Sequence, residues 1–315
     1  MTTRWAYLGP QGTFCEQAAR IMVAQDTADG REPDVELRPA TGVSDAIGAV
    51  RAGRVAAAVV PLENSVEGGV ALTQDELTHG DPVVITAEAS VPVTFDLLVR
   101  PGTPLSGIGT VGSHPHGHAQ VRGWLATNLP DARIVETAST AAAAAMVAAG
   151  ELDAAAGAPV AGERYRLAAV ATDIGERRDA VTRFVRLSVP AAAPPPTGND
   201  RTSLVLSVAN TPGSLLAVLT EFAVRGINLT RLESRPTREL LGEYVFLVDA
   251  DGHVADQAMA DTLTALIRRG ELRRFLGSYP RSSGEAVRPP DFAADGTYAA
   301  ARLAVESIAG TGRQP

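Results

Sequence analysis

Lysine is absent from this sequence of 315 residues, and all 28 basic residues are arginine. Schiff-base chemistry, a pyridoxal linkage and a lysine base are therefore excluded. The single cysteine, Cys15, excludes an internal disulfide framework and a cysteine-based zinc ribbon. No apolar run approaches a membrane span, and no arginine-rich tract accompanies the net charge of −8, so we expect neither a membrane nor nucleic acid as partner. Because the chain opens on a strand pattern without a signal-peptide core, we expect a cytoplasmic protein.

The pattern of apolar residues divides the chain into two folded regions. Short apolar runs alternate with helical stretches over residues 1–189, which predicts a mostly parallel α/β sheet covered on both faces. Residues 190–200 are rich in proline and predict a linker. Residues 201–279 follow the order βαββαβ, typical of a ferredoxin-like sandwich. Residues 280–315 predict a flexible tail, with at most a short helix near 296–308.

The stretch "SHPHGHAQ" holds three of the five histidines and raises the question of a metal site. Histidines at i and i+4 can share a metal on one helical face. Pro115, however, is typical of a first helical turn, and we predict Ser113 as its N-cap. The positive end of a helix disfavours a cation. We therefore predict no metal here, and the roles of His114, His116 and His118 stay open.

Several motifs together carry a family resemblance, and they occur in order along residues 4 to 279. They are "YLGPQGTFCEQAA", "VVPLENSVEGGV", "GSHPHGHAQ", "AST", "TDIGERRDAVTRFVRL" and "ESRP". The chain resembles prephenate dehydratases. The resemblance implies a two-lobed catalytic domain like that of periplasmic binding proteins, followed by an ACT regulatory domain. It also implies conversion of prephenate to phenylpyruvate, carbon dioxide and water without a cofactor, in a homodimer or homotetramer.

The candidate catalytic residues come from two of these motifs. Thr182 and Phe184 lie on one face of an extended segment. The resemblance implies that Thr182 hydrogen-bonds the leaving hydroxyl and that Phe184 packs against the substrate ring. Glu63 is a candidate acid if burial raises its pKa, and a carboxylate that caps the next helix is the alternative.

Some candidate substrate-binding residues lie where strands end and helices begin, since N–H groups at a helix start attract anions, whereas the resemblance alone implies Ser113, Gln120 and Arg183 at the cleft. We read Cys15, in one of these turns, as a packing residue rather than a nucleophile. The candidates are Asn64, Ser65, Arg183, Thr13, Ser113, Gln120, Ser139 and Thr140.

The second region resembles an ACT module, which implies an amino-acid effector, L-phenylalanine, bound between paired copies. The helix start at Gly213, Ser214 and Leu215 is the candidate site for its carboxylate. Glu233 or backbone carbonyls, together with Asn228, are the candidates for its ammonium group. The predicted site also includes the rest of the "ESRP" segment, Ser234, Arg235 and Pro236.

Two other functions fit the same pattern. An arogenate dehydratase acts on the aminated analogue of prephenate, and a ligand-binding regulatory protein performs no catalysis. A turnover assay distinguishes a regulatory protein from an enzyme. The relative rates on prephenate and arogenate distinguish an arogenate dehydratase from a prephenate dehydratase.

Overall fold

The computed structural model describes residues 2–28, 30, 34–66, 68–177, 179–238, 243–282, 286 and 288–311. The chain forms two compact units. The first comprises Met1–Thr73 and Ala89–Leu187, and the second comprises Gln74–Glu88 and Ser188–Pro315. The segment Gln74–Glu88 thus belongs to the second unit, although it lies within the region that the sequence predicts to be the first domain. No helix among the described residues is long and apolar enough to cross a membrane.

The first lobe of unit 1 is built on a mixed sheet with the strand order β2-β1-β3-β11-β5, and β4 pairs with β3. Strands β1, β2 and β3 run parallel, whereas β11 is antiparallel to β3. The elements are β1 (Thr3–Leu8), α1 (Phe14–Ala28), β2 (Val35–Ala40), α2 (Val43–Arg51), β3 (Ala57–Asn64), β4 (Gly68–Gly69), α3 (Ala71–Thr78), β5 (Val84–Pro92) and β11 (Val181–Ser188). Of these, α3 and β5 lie partly in the segment Gln74–Glu88 of unit 2.

The second lobe of unit 1 has the strand order β10-β6-β9-β7-β8. Strands β7, β8 and β9 run parallel, and β6 is antiparallel to both of its neighbours. The expectation of a mostly parallel sheet is therefore wrong in detail, since each sheet mixes both directions. The elements are β6 (Asp96–Val99), β7 (Thr110–Ser113), α4 (Pro115–Asn128), β8 (Arg133–Glu136), α5 (Thr140–Ala149), β9 (Ala154–Gly157), α6 (Pro159–Tyr165) and β10 (Ala168–Ala171).

Two chain segments connect the lobes, one between β5 and β6 and one between β10 and β11. They run side by side, because the Val93 amide donates to the Ala180 carbonyl across 2.7 Å. In the second lobe, an alanine-rich helix packs tightly on the sheet: a Cβ added at Gly112 would lie 3.1 Å from the Cβ of Ala143 on α5. Small residues on both sides let the helix approach the strands.

Unit 2 contains an antiparallel sheet in the order β13-β14-β12-β15, with two helices on one face. This is the predicted βαββαβ arrangement, and its core gathers Leu204, Phe222, Val248 and Leu263. A helix of 17 residues follows, where the sequence predicted a shorter one. The elements are β12 (Asp200–Ser207), α7 (Ser214–Ala223), β13 (Leu229–Pro236), β14 (Tyr244–Asp251), α8 (Gln257–Arg268), β15 (Leu272–Pro280) and α9 (Asp295–Thr311).

Candidate active site and effector region

Polar side chains gather at one edge of the first-lobe sheet. Strands β1 and β3 run parallel and end at the same edge, and the antiparallel β11 begins there. Thr13 follows β1, Asn64 ends β3, and Thr182 lies in register with Asn64. Ser65 joins β3 to β11, since its hydroxyl accepts from the Val181 amide across 3.0 Å. Ligands of open α/β sheets bind outside such strand ends.

The Thr182 hydroxyl is oriented by a neighbouring amide. Asn64 Nδ2 donates to Thr182 Oγ1 across 2.8 Å, and Asn64 Oδ1 accepts from the Val66 amide across 2.8 Å. The second contact fixes which end of the Asn64 amide faces Thr182. Because the Thr182 oxygen accepts a hydrogen bond, its own hydrogen can donate to a bound group. The Thr182 residue is 8% exposed, so the hydroxyl lies in a largely dry place.

Glu63 lies on the other face of the same strand pair. Its carboxylate forms an ion pair with Arg183, with 2.7 Å between Oε1 and Nε, and the two residues are in register. Successive side chains of a strand point to opposite faces. The structure therefore separates Glu63 and Arg183 from the hydroxyl of Thr182, although the sequence proposed all three for the same site.

Phe184 follows on β11, in register with Pro61. It is two residues from Thr182, but the register of β11 on β3 shifts between Arg183 and Phe184, so a shared face for Thr182 and Phe184 stays a prediction. The residue is only 3% exposed. Its ring is thus packed among protein atoms.

The corresponding edge of the second lobe brings two sequence-distant candidates together. Strands β7 and β8 are parallel, so the helices that follow them, α4 and α5, begin side by side. A Cβ added at Gly117 would lie 2.8 Å from Ser113 Oγ, 3.0 Å from a Thr140 methyl and 3.2 Å from the Phe95 ring. Gly117 therefore allows these groups to meet at one point.

The predicted capping role of Ser113 is wrong. Ser113 is the last residue of β7, is fully buried, and donates its hydroxyl to the Ala156 carbonyl across 3.0 Å. His114 is the N-cap of α4, because its ring nitrogen Nδ1 accepts from the His116 amide across 3.3 Å. A histidine ring reaches the first-turn amides as a serine hydroxyl would, and the serine is drawn into the sheet instead.

Two further helix starts use their candidate hydroxyls as caps. Ser139 Oγ accepts from the Ala142 amide across 2.9 Å at the start of α5. At α1, Thr13 Oγ1 accepts from the Glu16 amide across 3.3 Å, while the Glu16 carboxylate accepts from the Gly12 amide. This is a capping box displaced by one residue. The hydroxyls of Ser139 and Thr13 thus satisfy their own helices.

The two lobes touch through residues that the sequence did not single out. The rings of Phe14 and Phe95 meet edge to face, with centroids 5.9 Å apart. Tyr165 donates its hydroxyl to the Gln11 carbonyl across 3.2 Å, and Arg164 contacts the Gln11 side chain. Gln11 lies in the glycine-rich motif at the start of the chain, which was the one available signal. These contacts close unit 1 around the edges that hold Thr182 and Thr140.

The histidine cluster shows no metal-binding geometry. No group of three or more histidine, cysteine, aspartate or glutamate residues could hold an ion in the part of the chain that the structure describes. The rings of His114 and His116 lie against each other, with centroids 5.3 Å apart. The backbone carbonyl of Gln120, on the same helix, accepts a hydrogen bond from the Glu176 amide across 2.7 Å. This bond ties α4 to the connection into β11. The absence of a metal stays a prediction.

Cys15 lies in the first-lobe core. Its thiol is fully enclosed and contacts the Val59 carbonyl, with 3.2 Å between Sγ and the oxygen. Burial raises the pKa of the Cys15 thiol to about 12. A thiol that stays neutral is a poor nucleophile, in agreement with the interpretation of Cys15 as a packing residue.

In unit 2, the start of α7 has the open geometry expected of a ligand-binding turn. Gly213 is its N-cap, with φ of 84°, and a Cβ added there would meet nothing within 4 Å. The Ser214 hydroxyl donates to the Thr211 carbonyl across 2.8 Å, and the next residue, Leu215, begins the helical core face. Residues 211–213 are exposed, and the Ser214 amide donates to the Thr211 carbonyl across 3.2 Å.

The other effector candidates are distributed over both faces of β13. Ser234 and Pro236 point outward and are exposed, whereas Glu233 and Arg235 point to the opposite side. The Glu233 carboxylate contacts both Arg231 and Gln74, and Arg235 donates to the Gln74 carbonyl oxygen. Asn228 is engaged elsewhere, since its amide donates to the Asp251 carboxylate across 2.9 Å. Glu233 therefore already holds partners within its own unit.

Together, these features define a class of protein: a two-lobed α/β domain with polar groups at facing strand ends, followed by an ACT-like sandwich. Residues 5–192 match the family model described as prephenate dehydratase, and residues 202–268 match the ACT domain. The chain belongs to the prephenate dehydratase family.

Known proteins resemble the chain over nearly its whole length. A prephenate dehydratase of Amycolatopsis methanolica is 51% identical over 90% of this chain and 91% of its own length. The crystal structure of prephenate dehydratase from Arthrobacter aurescens in complex with L-Phe is 42% identical, with a TM-score of 0.86, and covers 98% of this chain and 99% of that one. GqqA, described as a novel type of quorum quenching acylase, is 29% identical with a TM-score of 0.76, over 89% and 98% of the two chains.

Proposed function

We propose that this chain catalyses the decarboxylative dehydration of prephenate to phenylpyruvate, and that L-phenylalanine inhibits it through the ACT domain. The family match and the 51% identity to a named prephenate dehydratase support the reaction. Within the structure, the observation that carries the proposal is the contact between Asn64 and Thr182. It leaves a hydroxyl hydrogen available in a nearly dry place at the strand edge.

The reaction asks little of the protein beyond orientation and hydrogen bonding. The bond from the ring to its carboxylate breaks and its electron pair enters the ring, while the ring hydroxyl leaves with the C–O electron pair and takes up one proton from solvent to become water. Aromatisation drives both losses. A threonine hydroxyl is too weak an acid to transfer a proton fully at neutral pH, so Thr182 stabilises the departing oxygen as a donor. In this proposal, the Phe184 side chain packs against the ring of the substrate.

Glu63 acts, in this proposal, on Arg183 rather than on the substrate. Arg183 is a cation whose side chain is only 6% exposed. A buried charge without a partner is strongly destabilising. The ion pair with Glu63 supplies that partner. Thr182 then precedes a firmly held residue, which fixes the start of β11 and the direction of the hydroxyl.

The substrate carries two carboxylates, which need anion sites. The adjacent starts of α4 and α5 present backbone N–H groups at the second-lobe edge, where helix dipoles favour negative charge. Arg164 adds a cation near the contact between the lobes. We propose a substrate-binding set of Asn64, Ser65, Thr13, Ser113, Gln120, Ser139 and Thr140.

For the effector, we propose that two ACT domains pair and enclose L-phenylalanine near Gly213–Leu215, Asn228 and Glu233–Pro236 of β13. The Arthrobacter aurescens prephenate dehydratase, matched over 99% of its length, was solved in complex with L-Phe, which supports L-phenylalanine as the effector. Strand β13 is at the edge of its sheet and carries the exposed Leu232, and Leu216 on α7 and Val224 at its end are exposed as well. An apolar edge of this kind favours pairing with a second copy. We therefore propose that this chain forms a homodimer or homotetramer.

The deciding experiment compares initial rates of the purified full-length chain on prephenate and on arogenate, with the products identified by chromatography. We expect phenylpyruvate from prephenate at the higher kcat/KM, and inhibition by added L-phenylalanine. A higher kcat/KM on arogenate would make the protein an arogenate dehydratase. Turnover of neither substrate, with L-phenylalanine still bound, would instead indicate a regulatory binding protein. Sedimentation with and without L-phenylalanine tests the oligomer.

A further inference from the structure

Helix α3 is shared between the two units. Its first residues, up to Thr73, belong to unit 1, and its last residues, from Gln74, belong to unit 2. Both Thr73 and Gln74 are completely buried, although both side chains are polar. Polar groups enclosed in this way are held by their hydrogen bonds, because losing a partner there costs the full desolvation of the group.

Gln74 binds the two charged residues of the "ESRP" segment with the two ends of one amide. Its Nε2 donates to the Glu233 carboxylate, and its Oε1 accepts from Arg235 Nε. Glu233 and Arg235 are two residues apart on β13 and so project from the same face of the strand. An amide that donates at one end and accepts at the other is complementary to this pair, whereas a glutamate in its place would oppose Glu233.

The preceding residue makes the matching contact within unit 1. Thr73 Oγ1 donates to the Pro61 carbonyl on β3 across 2.6 Å. Three residues further along β3 lies Asn64, whose amide orients the Thr182 hydroxyl. A helix rises 1.5 Å per residue and moves as a rigid body over two residues. A displacement of Gln74 therefore also displaces Thr73 and the β3 carbonyl that Thr73 holds.

We propose that Gln74 is the positioning residue that transmits effector binding on β13 to the orientation of Asn64 and Thr182. The proposal rests on the proposed function, because it concerns inhibition by L-phenylalanine. Binding of the effector beside the outward residues of β13 shifts the strand, Gln74 follows through both of its hydrogen bonds, and Thr73 moves the end of β3. Coupling of this kind requires that L-phenylalanine prefer one of two arrangements of the strand.

The test uses the full-length protein and first measures inhibition and L-phenylalanine binding for the wild type. A wild type that binds no L-phenylalanine or is not inhibited by it refutes the regulatory part of the proposed function, whatever the role of Gln74. With an inhibited wild type, we expect Gln74→Met to bind L-phenylalanine by calorimetry as before, while the concentration for half inhibition rises by about tenfold or more. Methionine keeps the length of the side chain without either hydrogen bond.

Asp75→Asn is the matched control, one residue further along the same helix. Asp75 pairs with Arg238, outside the "ESRP" segment, across 2.5 Å. This variant should be inhibited as the wild type is. Unchanged inhibition of Gln74→Met overturns the proposal, and so does loss of L-phenylalanine binding, which would place Gln74 in the binding site itself.

A second measurement covers the case in which Gln74→Met does not fold. Hydrogen exchange of the wild type, with and without L-phenylalanine, reports on α3 and on β3 without any substitution. We expect the effector to change the protection of amides in both elements. An inhibited wild type whose exchange is unchanged in α3 and β3 would show that the signal takes another route, and the proposal would fail.

Discussion

Two strand ends, one in each unit, use an amide side chain in opposite ways. At the start of β11, the Asn64 amide donates to the neutral hydroxyl of Thr182 and leaves that hydroxyl a hydrogen to give. At the end of β13, the Gln74 amide uses both of its ends on the charged pair Glu233 and Arg235. In the first arrangement, the hydroxyl that the amide holds keeps a hydrogen to donate, whereas in the second the amide makes one hydrogen bond to each of two charged groups.

This difference separates a site that reacts from a contact that transmits. A group that assists a reaction must keep donor capacity for the transition state, because only interactions formed there accelerate the step. A contact that transmits motion is better fully satisfied, since each additional buried hydrogen bond makes independent movement more costly. The same chemical group thus serves either purpose, according to whether the group that it holds keeps a hydrogen to donate.

The largest effect is expected for Thr182→Ala, which removes the available hydrogen while the rest of the strand stays in place. A transition-state hydrogen bond in a dry site contributes about 2.7–4 kcal/mol, so turnover should fall by roughly 100- to 1000-fold. Steady-state kinetics on prephenate measure this, with Thr182→Ser as the control that restores the hydroxyl and part of the activity. Retention of more than about a third of wild-type kcat by the alanine variant would remove Thr182 from the mechanism.

The next effect is expected for Glu63→Gln, which tests the opposite face of the same strand pair. Arg183 would lose its ionic partner, and with Glu63 about a third exposed, we expect about 2 kcal/mol of lost stability in thermal unfolding. Turnover below the unfolding temperature should stay within about threefold of wild type. Glu36→Gln, in an exposed ion pair with Arg4, is the control and should change little. A large loss of kcat in Glu63→Gln with unchanged stability would make Glu63 the acid that the sequence suggested.

The sequence predicted the elements of the fold well, because most of them follow from local signals. Alternation along "TSLVLSVAN", the glycine after α7 and the proline at the start of α4 each specify an element within a few residues. Strand direction was harder to predict. β11 enters the first-lobe sheet antiparallel after the chain has built the whole second lobe, and no local pattern records that return.

The site residues show the same limit. The alternation predicted Thr182 and Phe184 on one face, but spacing alone does not decide this where the register of β11 on β3 shifts between Arg183 and Phe184. It could not assign partners, so Glu63 looked like a companion of Thr182 although it pairs with Arg183 across the sheet. Gln74 gave no signal at all, because its partners lie 159 and 161 residues away along the chain. Contacts at that distance are a property of the packed structure alone.

A smaller effect is expected for Asn64→Asp, which reverses the direction of the hydrogen bond to Thr182. A carboxylate has no N–H to donate, so the Thr182 hydroxyl would donate to it and its hydrogen would be withdrawn from the substrate. The loss of one oriented hydrogen bond, about 1.4 kcal/mol, corresponds to about tenfold in kcat. Asn128→Asp makes the same change at an exposed position of α4 and should leave kcat unaltered. If both variants behave alike, Asn64 does not orient the hydroxyl.

The smallest effect is expected for Gly213→Ala at the exposed start of α7, which tests the effector side of the comparison. Gly213 has φ of 84°, a conformation that costs other residues about 1 kcal/mol, and nothing within 4 Å would obstruct the added methyl group. Backbone strain is therefore the whole penalty, and the amides at the helix start should bind the effector carboxylate less well. Calorimetry should show L-phenylalanine binding weakened by about fivefold. Gly48→Ala, within α2 and equally unobstructed but without positive φ, is the matched control and should bind as the wild type does. Equal L-phenylalanine affinities in the two variants would move the carboxylate site away from this turn and leave β13 as the only candidate among the elements considered for the effector.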